Sequence, residues 1–193
     1  IEPGTRVAYS AIDRARAKAA ADTGDPDFGL RAARAVHPSH IGALGYAVLA
    51  STSLTSSFQR MRRFIRVVND KGYFDIDDQG DVIVVNLSVD EPSANEKVRD
   101  DGMVAYAVAL ARLNAGEDLD PVHVGFRIDA PGDTSAYTAL FRCPVKFGCA
   151  HNEIAFSRAD AERTLPSANP VIAQMNDRIV IRRLSRLDRD NVP

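Results

Sequence analysis

The chain has only two cysteines, no long apolar run and no excess of positive charge. Two cysteines are too few for a disulfide-rich secreted scaffold. No apolar run approaches the ~18–20 residues of a membrane-spanning helix, and no secretory signal opens the sequence. The net charge of −2, from 24 basic and 26 acidic residues, gives no overall positive field to hold nucleic acid. The prediction is a reduced, cytoplasmic protein without membrane partners.

The sequence motifs of common enzymes are missing as well. There is no G-x-S-x-G, no Walker-type or G-x-G-x-x-G loop and no H-E-x-x-H. Cys143, Cys149 and His151 follow a C-x5-C-x-H spacing that matches no usual zinc pattern and lacks a fourth ligand. We therefore expect no metal, no cofactor and no catalytic residues, and hence a protein that is not an enzyme.

Two further polar clusters have plain structural interpretations. His37 and His40 lie on either side of Pro38 and Ser39, where surface or helix-capping roles are expected. The aspartates at positions 75, 77, 78 and 81 lack the spaced ligands and the closing glutamate of an EF-hand. A hairpin turn explains this cluster with fewer assumptions.

A chain of 193 residues with 45% apolar content can bury a core without disulfide or metal crosslinks, so one globular domain is expected. Its apolar periodicity predicts an α+β fold. The expected helices span residues 5–22, 28–36, 96–113, 134–142 and 171–187. The expected strands span 73–76, 82–87, 122–128 and 146–156, the last as a strand or a hairpin edge. Helices therefore come first and are followed by an antiparallel or mixed sheet of about four strands packed with helices. The chain begins with Ile and ends in a polar run, so we expect a fragment of a longer polypeptide.

The clearest hydrophobic pattern lies between Gly42 and Asp70. A small-residue apolar helix is expected first, then a break at residues 51–53, then an amphipathic helix that Thr52 or Ser53 can cap. The apolar positions of this second helix recur at spacings of four and three, typical of one helix face: Leu54, Phe58, Met61, Ile65 and Val68. Its other positions carry Arg60, Arg62, Arg63 and Arg66.

These arginines have two interpretations. They form a solvated helix face, or one of them, Arg62 or Arg66, points into a cavity and pairs with a ligand carboxylate, whose planar shape suits a guanidinium. Several aromatic residues are core residues in the plain interpretation and line a pocket only if the core is hollow: Tyr46, Phe58, Phe64, Tyr106 and Phe126.

Three segments resemble the effector-binding domain of bacterial AraC-type transcriptional regulators, in the group that controls amino-acid catabolism or virulence. They are GDPDFGLRAARAVHPSHIGALGYAVLAS, its continuation TSLTSSFQRMRRFIRVV, and AYTALFRCPVKFGCAHNEIAFSRADAERTLPSANPVI. The last contains, in the family's order, the C-P-V-x-F-G turn, the I-A-F strand and the L-P-x-A-N-P loop. The similarity extends from about Gly24 to about Leu187.

The resemblance implies an effector-sensing domain over residues 1–187, with a helical part to about residue 70 and an α+β part beyond it. Residues 188–193 would begin the linker to an absent helix-turn-helix domain, which alone would bind DNA. The implied partner is a small-molecule effector, an amino or organic acid or a fatty-acid-like carboxylate, held between the 42–70 helices and the sheet. A homodimer is expected, with residues 96–113 or 171–187 as the contact helix. The strand signals are too few for a cupin barrel, and the alternative function is a small-molecule or lipid-binding carrier or enzyme.

Overall fold

The computed structural model describes residues 7–35 and 37–190, with backbone alone for 188–190. Its helices are α1 (Tyr9–Thr23), α2 (Phe28–Ala32), α3 (Ala43–Leu49), α4 (Leu54–Val68), α5 (Glu96–Ala115), α6 (Ser135–Phe141), α7 (Arg158–Glu162) and α8 (Pro170–Asp190). Its strands are β1 (Gly72–Asp78), β2 (Val82–Val89), β3 (His123–Gly125), β4 (Val145–Lys146) and β5 (Asn152–Ser157). Short 3-10 helices at Ala33–Ala35 and Pro38–Ile41 connect the first helices.

The strands form one mixed sheet with the order β1-β2-β5-β3-β4, in which only the β3–β4 pair is parallel. The fold is therefore α+β and the sheet is not closed into a barrel, as predicted. The Asp-rich segment between β1 and β2 is the expected hairpin turn, with Gly80 at a φ of +80°, a value that favours glycine. The part of the chain that the structure describes contains five strands where about four were predicted.

Helix α5 lies at the centre of the molecule, and most of its residues are buried. On one side it joins the sheet in a large apolar cluster that includes Val85, Phe126 and Phe156. On the other side it joins α3, α4 and α8 in a second cluster that includes Phe64, Leu110 and Val180. Helix α5 therefore has apolar neighbours on both sides.

The 42–70 stretch folds as predicted, as two helices with a break between them. Ser53 is the N-cap of α4: its hydroxyl accepts from the Ser56 N–H at 3.1 Å, and the Ser56 hydroxyl accepts from the Ser53 N–H at 3.0 Å. This reciprocal arrangement is a capping box, so the cap is Ser53 and not Thr52. In α3, a Cβ on Gly45 would lie 1.8 Å from the carbonyl oxygen of Pro38, so the chain requires glycine there.

Other element boundaries differ from the predictions. The strand expected over 122–128 shortens to His123–Gly125, and the segment 146–156 divides into β4 and β5 around a connection at 147–151. Helix α7 was not predicted because a five-residue helix shows no periodicity. Helix α8 continues through Asp190, three residues past the predicted end. The predictions for residues 5, 6 and 36 lie outside the described residues.

The capping box predicts a measurable loss of stability in Ser53→Ala, because two N–H groups at the start of α4 lose their side-chain acceptor or its orientation. We expect the free energy of unfolding, measured by urea titration, to fall by about 1 kcal/mol. Thr52→Ala is the matched control: Thr52 is exposed and its side chain contacts only the Ser56 hydroxyl, at 3.2 Å. Equal losses in both variants would contradict the assignment of Ser53 as the cap.

Candidate ligand-binding cavity

A cavity of about 400 Å³ lies between the two apolar clusters, a size within the usual range of small-molecule sites. Helices α4 and α5 and the sheet supply most of its lining: Leu54, Ser57, Phe58, Met61, Ile65 and Val68 of α4; Arg99, Gly102, Met103, Tyr106, Ala107, Leu110, Ala111 and Asn114 of α5; and Phe74, Val85, Leu87, Ile154 and Phe156 of the sheet. This is the place, between the 42–70 helices and the sheet, where the sequence predicts an effector.

The lining residues of α5 indicate that the cavity is long. They begin at Arg99 and end at Asn114, fifteen residues later, and a helix rises 1.5 Å per residue, so the cavity extends roughly 22 Å along α5. We call the two ends the Arg99 end, with Tyr9, Arg16 and Arg99, and the Asn114 end, with Val48, Ser57 and Asn114. Nearly all side chains between the two ends are apolar.

The Arg99 guanidinium is held in a fixed orientation. Its Nε donates to Asp100 Oδ1 at 2.7 Å and its Nη1 donates to the Glu91 carbonyl at 2.9 Å. Its Nη2 makes no hydrogen bond with the described residues and lies 3.7 Å from a Glu96 carboxylate oxygen. Burial opposes the charged form, but the hydrogen bond and charge of Asp100 raise the pKa of Arg99 above its ordinary value. Arg99 is therefore a permanently charged residue of the cavity lining, and one of its N–H groups lacks a hydrogen-bond partner.

Helix α1 closes the Arg99 end of the cavity. Tyr9 and Arg16 line the cavity, while Asp13 between them is 4% exposed. Asp13 accepts from the Ser93 hydroxyl at 2.7 Å and from the Ala94 N–H at 2.6 Å. Apart from Asp13, only Ala20 of this helix is buried, so these two hydrogen bonds are a main attachment of α1 to the rest of the domain.

Buried polar atoms without a partner concentrate at this cavity. Among the described residues, six buried side-chain polar atoms lack a hydrogen-bond partner. Four of them belong to cavity-lining residues: Tyr9 Oη, Arg99 Nη2, Tyr106 Oη and Asn114 Oδ1. Burial raises the pKa of Tyr106, so its phenol stays neutral near pH 7. Since buried polar groups normally find partners, these four unpartnered atoms distinguish the residues around the cavity from the rest of the core.

The structure places two of the seven predicted ligand residues, Phe58 and Tyr106, in the cavity lining. Tyr46 is 44% exposed, and the Phe64 ring lies in the second cluster with Arg63 above it at 4.9 Å. Phe126 is fully buried in an aromatic group with Tyr137, Phe141 and Phe147. None of these three side chains lines the cavity.

The two predicted carboxylate-binding arginines also lie outside the cavity. Arg62 is exposed and its Nε pairs with Asp75 Oδ1 at 3.0 Å on the adjacent strand β1, and Arg66 is exposed on the same side of α4. Of the other two arginines, Arg63 lies over the Phe64 ring, and Arg60 is half-buried and joins α4 to α8 through Asp177 at 3.3 Å. The physical reason is the amphipathic face of α4: its apolar side turns to the cavity, so its arginines turn away from it.

The sequence interpretation missed Arg99, Asn114 and Tyr9. Arg99 stands between Val98 and two aspartates near the start of a helix, a context typical of a solvated helix end. No periodicity signal distinguishes a buried guanidinium from an exposed one, and its burial depends on Asp100 and on the carbonyl of Glu91. Only the three-dimensional contacts identify it.

The other polar clusters take structural roles. Cys143 and Cys149 are half-buried free thiols, and His37 caps a 3-10 helix by accepting from the Ser39 N–H at 3.2 Å. His123 pairs with Glu153 at 3.0 Å. Within the described ranges, no group of three or more His, Cys, Asp or Glu side chains is arranged to hold a metal ion, and no helix is long and apolar enough to cross a membrane.

These features define an α+β domain with an elongated, largely apolar internal cavity. The family model of the N-terminal arabinose-binding domain of AraC transcription regulators matches residues 2–165. The chain therefore belongs to this family. It is not a cupin barrel, as the open sheet shows.

Two proteins from Pseudomonas aeruginosa resemble the chain, one in sequence and one in fold. The chain is 26% identical over 187 residues to an ornithine utilization regulator, covering 96% of this chain and 55% of that protein. The crystal structure of the transcriptional regulator CdpR superposes with a TM-score of 0.70 at 16% identity, covering 98% of this chain and 74% of that one. The chain thus spans about half the length of the curated relative, and its fold is similar to that of the CdpR structure.

The attachment of α1 predicts a pH-dependent stability effect of Asp13→Asn. Burial alone would raise the pKa of Asp13. The hydrogen bonds from the Ala94 N–H and the Ser93 hydroxyl, together with the charge of Arg16, outweigh this effect, so the pKa of Asp13 lies below its ordinary value. A carboxylate whose pKa is lowered by folding stabilises the fold at pH values above its unfolded-state pKa. This contribution is lost as the pH falls through its folded-state pKa. The variant should therefore lose about 1–2 kcal/mol at pH 7 and much less at about pH 3.

Urea unfolding at both pH values measures this difference. Asp22→Asn is the matched control on the same helix, since Asp22 is exposed and pairs only with Lys18, and it should change stability by under about 0.5 kcal/mol. An equal loss at both pH values in Asp13→Asn would contradict the role assigned to the Asp13 charge.

Proposed function

We propose that this domain senses a small-molecule effector for an AraC-family transcription regulator and passes the signal to a DNA-binding part elsewhere in the full protein. The single observation that carries the proposal is the elongated cavity with its partnerless polar atoms. The regulator relatives support this function over the alternative of a carrier or enzyme. A regulator of transcription acts where DNA is, so the cytoplasm is the compartment that we propose.

The lining of the cavity favours an apolar effector with a carboxylate. Arg16 and Arg99 are its only charged lining residues in the described part of the chain, and no acidic side chain lines it there. A free amino acid needs an anionic partner for its ammonium group, since a buried unpaired charge is costly. A carboxylate, by contrast, finds the Nη2 donor of Arg99. The proposed effector is therefore a long fatty-acid-like carboxylate, in contrast to the ornithine in the relative's name.

We further propose that the effector acts on α8 through α4. One side of α4 lines the cavity, and its other side contacts α8 through the Arg60–Asp177 pair and through Phe64 with Val180. Arg60 also donates to the Ser51 hydroxyl at 3.0 Å, at the break before α4. A ligand shifts a conformational equilibrium only if it binds the two states unequally. A ligand packed against α4 meets that condition if α4 and α8 move together. The linker to the DNA-binding part would then move with α8.

Helix α8 also supports the proposed homodimer. Its outward side carries a stripe of exposed apolar residues at helical spacing, Ile172, Met175 and Ile179, which are 42%, 56% and 53% exposed. Such a stripe is typical of a helix that pairs with another helix. Helix α5, the other predicted contact helix, is mostly buried within the domain.

The carboxylate proposal predicts that Arg99→Met weakens hexadecanoate binding about tenfold or more, because a charge-assisted hydrogen bond is lost. The measurement is thermal stabilisation of the chain across a ligand titration. Arg62→Ala should bind like the wild type, since Arg62 lies outside the cavity. Hexadecanol, which lacks the carboxylate, should bind wild type and Arg99→Met alike. Saturable binding that depends on Arg62 and not on Arg99 would contradict the proposal.

The dimer proposal predicts that Met175→Glu converts the chain from dimer to monomer, because it places a charge in the centre of an apolar contact. Mass measurement by sedimentation or light scattering tests it. Ile12→Glu, at a position 44% exposed on α1, is the matched control and should leave the mass unchanged. A wild-type chain that stays monomeric at high concentration would contradict the proposed dimer.

A further inference from the structure

We propose that the Asn114 end of the cavity is a second polar subsite, which recognises a hydroxyl group at the far end of the effector. The effector class is then an apolar chain with a carboxylate at one end and a hydroxyl at the other. This inference rests on the proposed function, since it assumes that a carboxylate occupies the Arg99 end.

The orientation of the Asn114 amide is set by its neighbours. Its Nδ2 donates to the Val48 carbonyl at 3.2 Å and to the Ser57 hydroxyl oxygen at 3.4 Å. The Val48 carbonyl can only accept a hydrogen bond, so the reversed amide would place two oxygens against each other. The Ser57 hydroxyl is itself occupied, because it donates toward the carbonyls of Val48 and Ser53, both at 3.1 Å. The amide oxygen of Asn114 therefore points away from both partners.

This amide oxygen is a buried acceptor without a donor among the described residues. Asn114 is 3% exposed, and Oδ1 is its one atom without a hydrogen-bond partner. Leaving a buried acceptor unpaired is costly, and leucine would fill much the same volume without that cost. Together with the place of Asn114 in the cavity lining, this points to a ligand group that supplies the donor.

The chemistry of the subsite narrows that group to a neutral donor. An amide oxygen accepts and cannot donate, so the ligand must bring an N–H or O–H. An ammonium group is disfavoured, because no acidic side chain in the described part of the lining would pair with its charge. A hydroxyl supplies one donor and no charge, so a hydroxyl is the group that we assign to this end.

The distance between the two ends requires a long chain between the two ligand groups. Arg99 and Asn114 are separated by roughly 22 Å along α5, and the residues between them, such as Met103, Ala107 and Leu110, are apolar. A carboxylate at one end and a hydroxyl at the other would each find its partner with the apolar chain between them.

The test compares three probes on the 193-residue chain: hexadecanoate, 16-hydroxyhexadecanoate and 16-methoxyhexadecanoate. The terminal hydroxyl can donate a hydrogen bond and the methyl ether can only accept one, so Asn114 Oδ1 should distinguish them. We expect the hydroxy acid to bind the wild type about tenfold tighter than either other probe. In Asn114→Leu the three probes should bind within about twofold of each other.

Ser57→Ala is the matched control: it removes one of the two partners of Nδ2 and leaves Oδ1 unchanged, so the preference for the hydroxy acid should persist. Equal binding of the three probes to the wild type, or a preference that survives in Asn114→Leu, would overturn the subsite and leave the proposed sensor intact. The comparison on the wild type decides this even if the leucine variant fails to fold. An absence of saturable binding by all three probes would overturn the proposed carboxylate effector together with the subsite.

Discussion

The burial of charge along helix α5 is the constraint on which the rest of the structure depends. This one helix separates the two apolar clusters, yet it carries Arg99, Asp100, Asp101 and Arg112 in the interior. Each charge is compensated: Arg99 by Asp100, Asp101 by Lys97 and the Tyr137 hydroxyl, each at 2.7 Å. Arg112 donates to the carbonyls of residues 119, 140 and 141. Because buried ions are tolerated only with such partners, these bonds fix how α5 meets α6 and the segment around residue 119.

With α5 fixed in this way, the space beside it becomes a site. Helix α4 approaches α5 from the second cluster, and between them lies a cavity whose lining is apolar except near its two ends. Arg99, whose guanidinium is already oriented by its other hydrogen bonds, lies at one end, and Asn114, whose buried amide oxygen has no partner, lies at the other. The opposite side of α4 contacts α8, so α4 connects the cavity to the helix whose outer surface is proposed for dimer contact. A ligand that displaces α4 would therefore act directly on α8.

Much of the fold follows from the sequence alone, and the reasons differ between elements. The α4 pattern was predicted correctly because an exposed amphipathic helix keeps its charges on one side. The hairpin was predicted correctly because its Asp/Gly turn is local. Helix α5 was predicted as a helix over 96–113, but its burial was not, because buried ion pairs look like surface charge in a sequence. The same cause hid the burial of Arg99, while Phe58 and Tyr106 line the cavity because aromatic residues on the inner sides of α4 and α5 face the interior. The arginines of α4 have the right chemistry to bind a carboxylate, but the sequence does not show whether their side chains point into the cavity or away from it.

The central claim is that the space between α4 and α5 is an effector site that binds a carboxylate at Arg99. A crystal structure of the chain with hexadecanoate tests it most directly. The account predicts electron density for the ligand along α5, with a carboxylate oxygen within hydrogen-bond distance, about 3 Å, of Arg99 Nη2. Ligand density elsewhere on the molecule, or a reversed ligand with its carboxylate at Asn114, would contradict it.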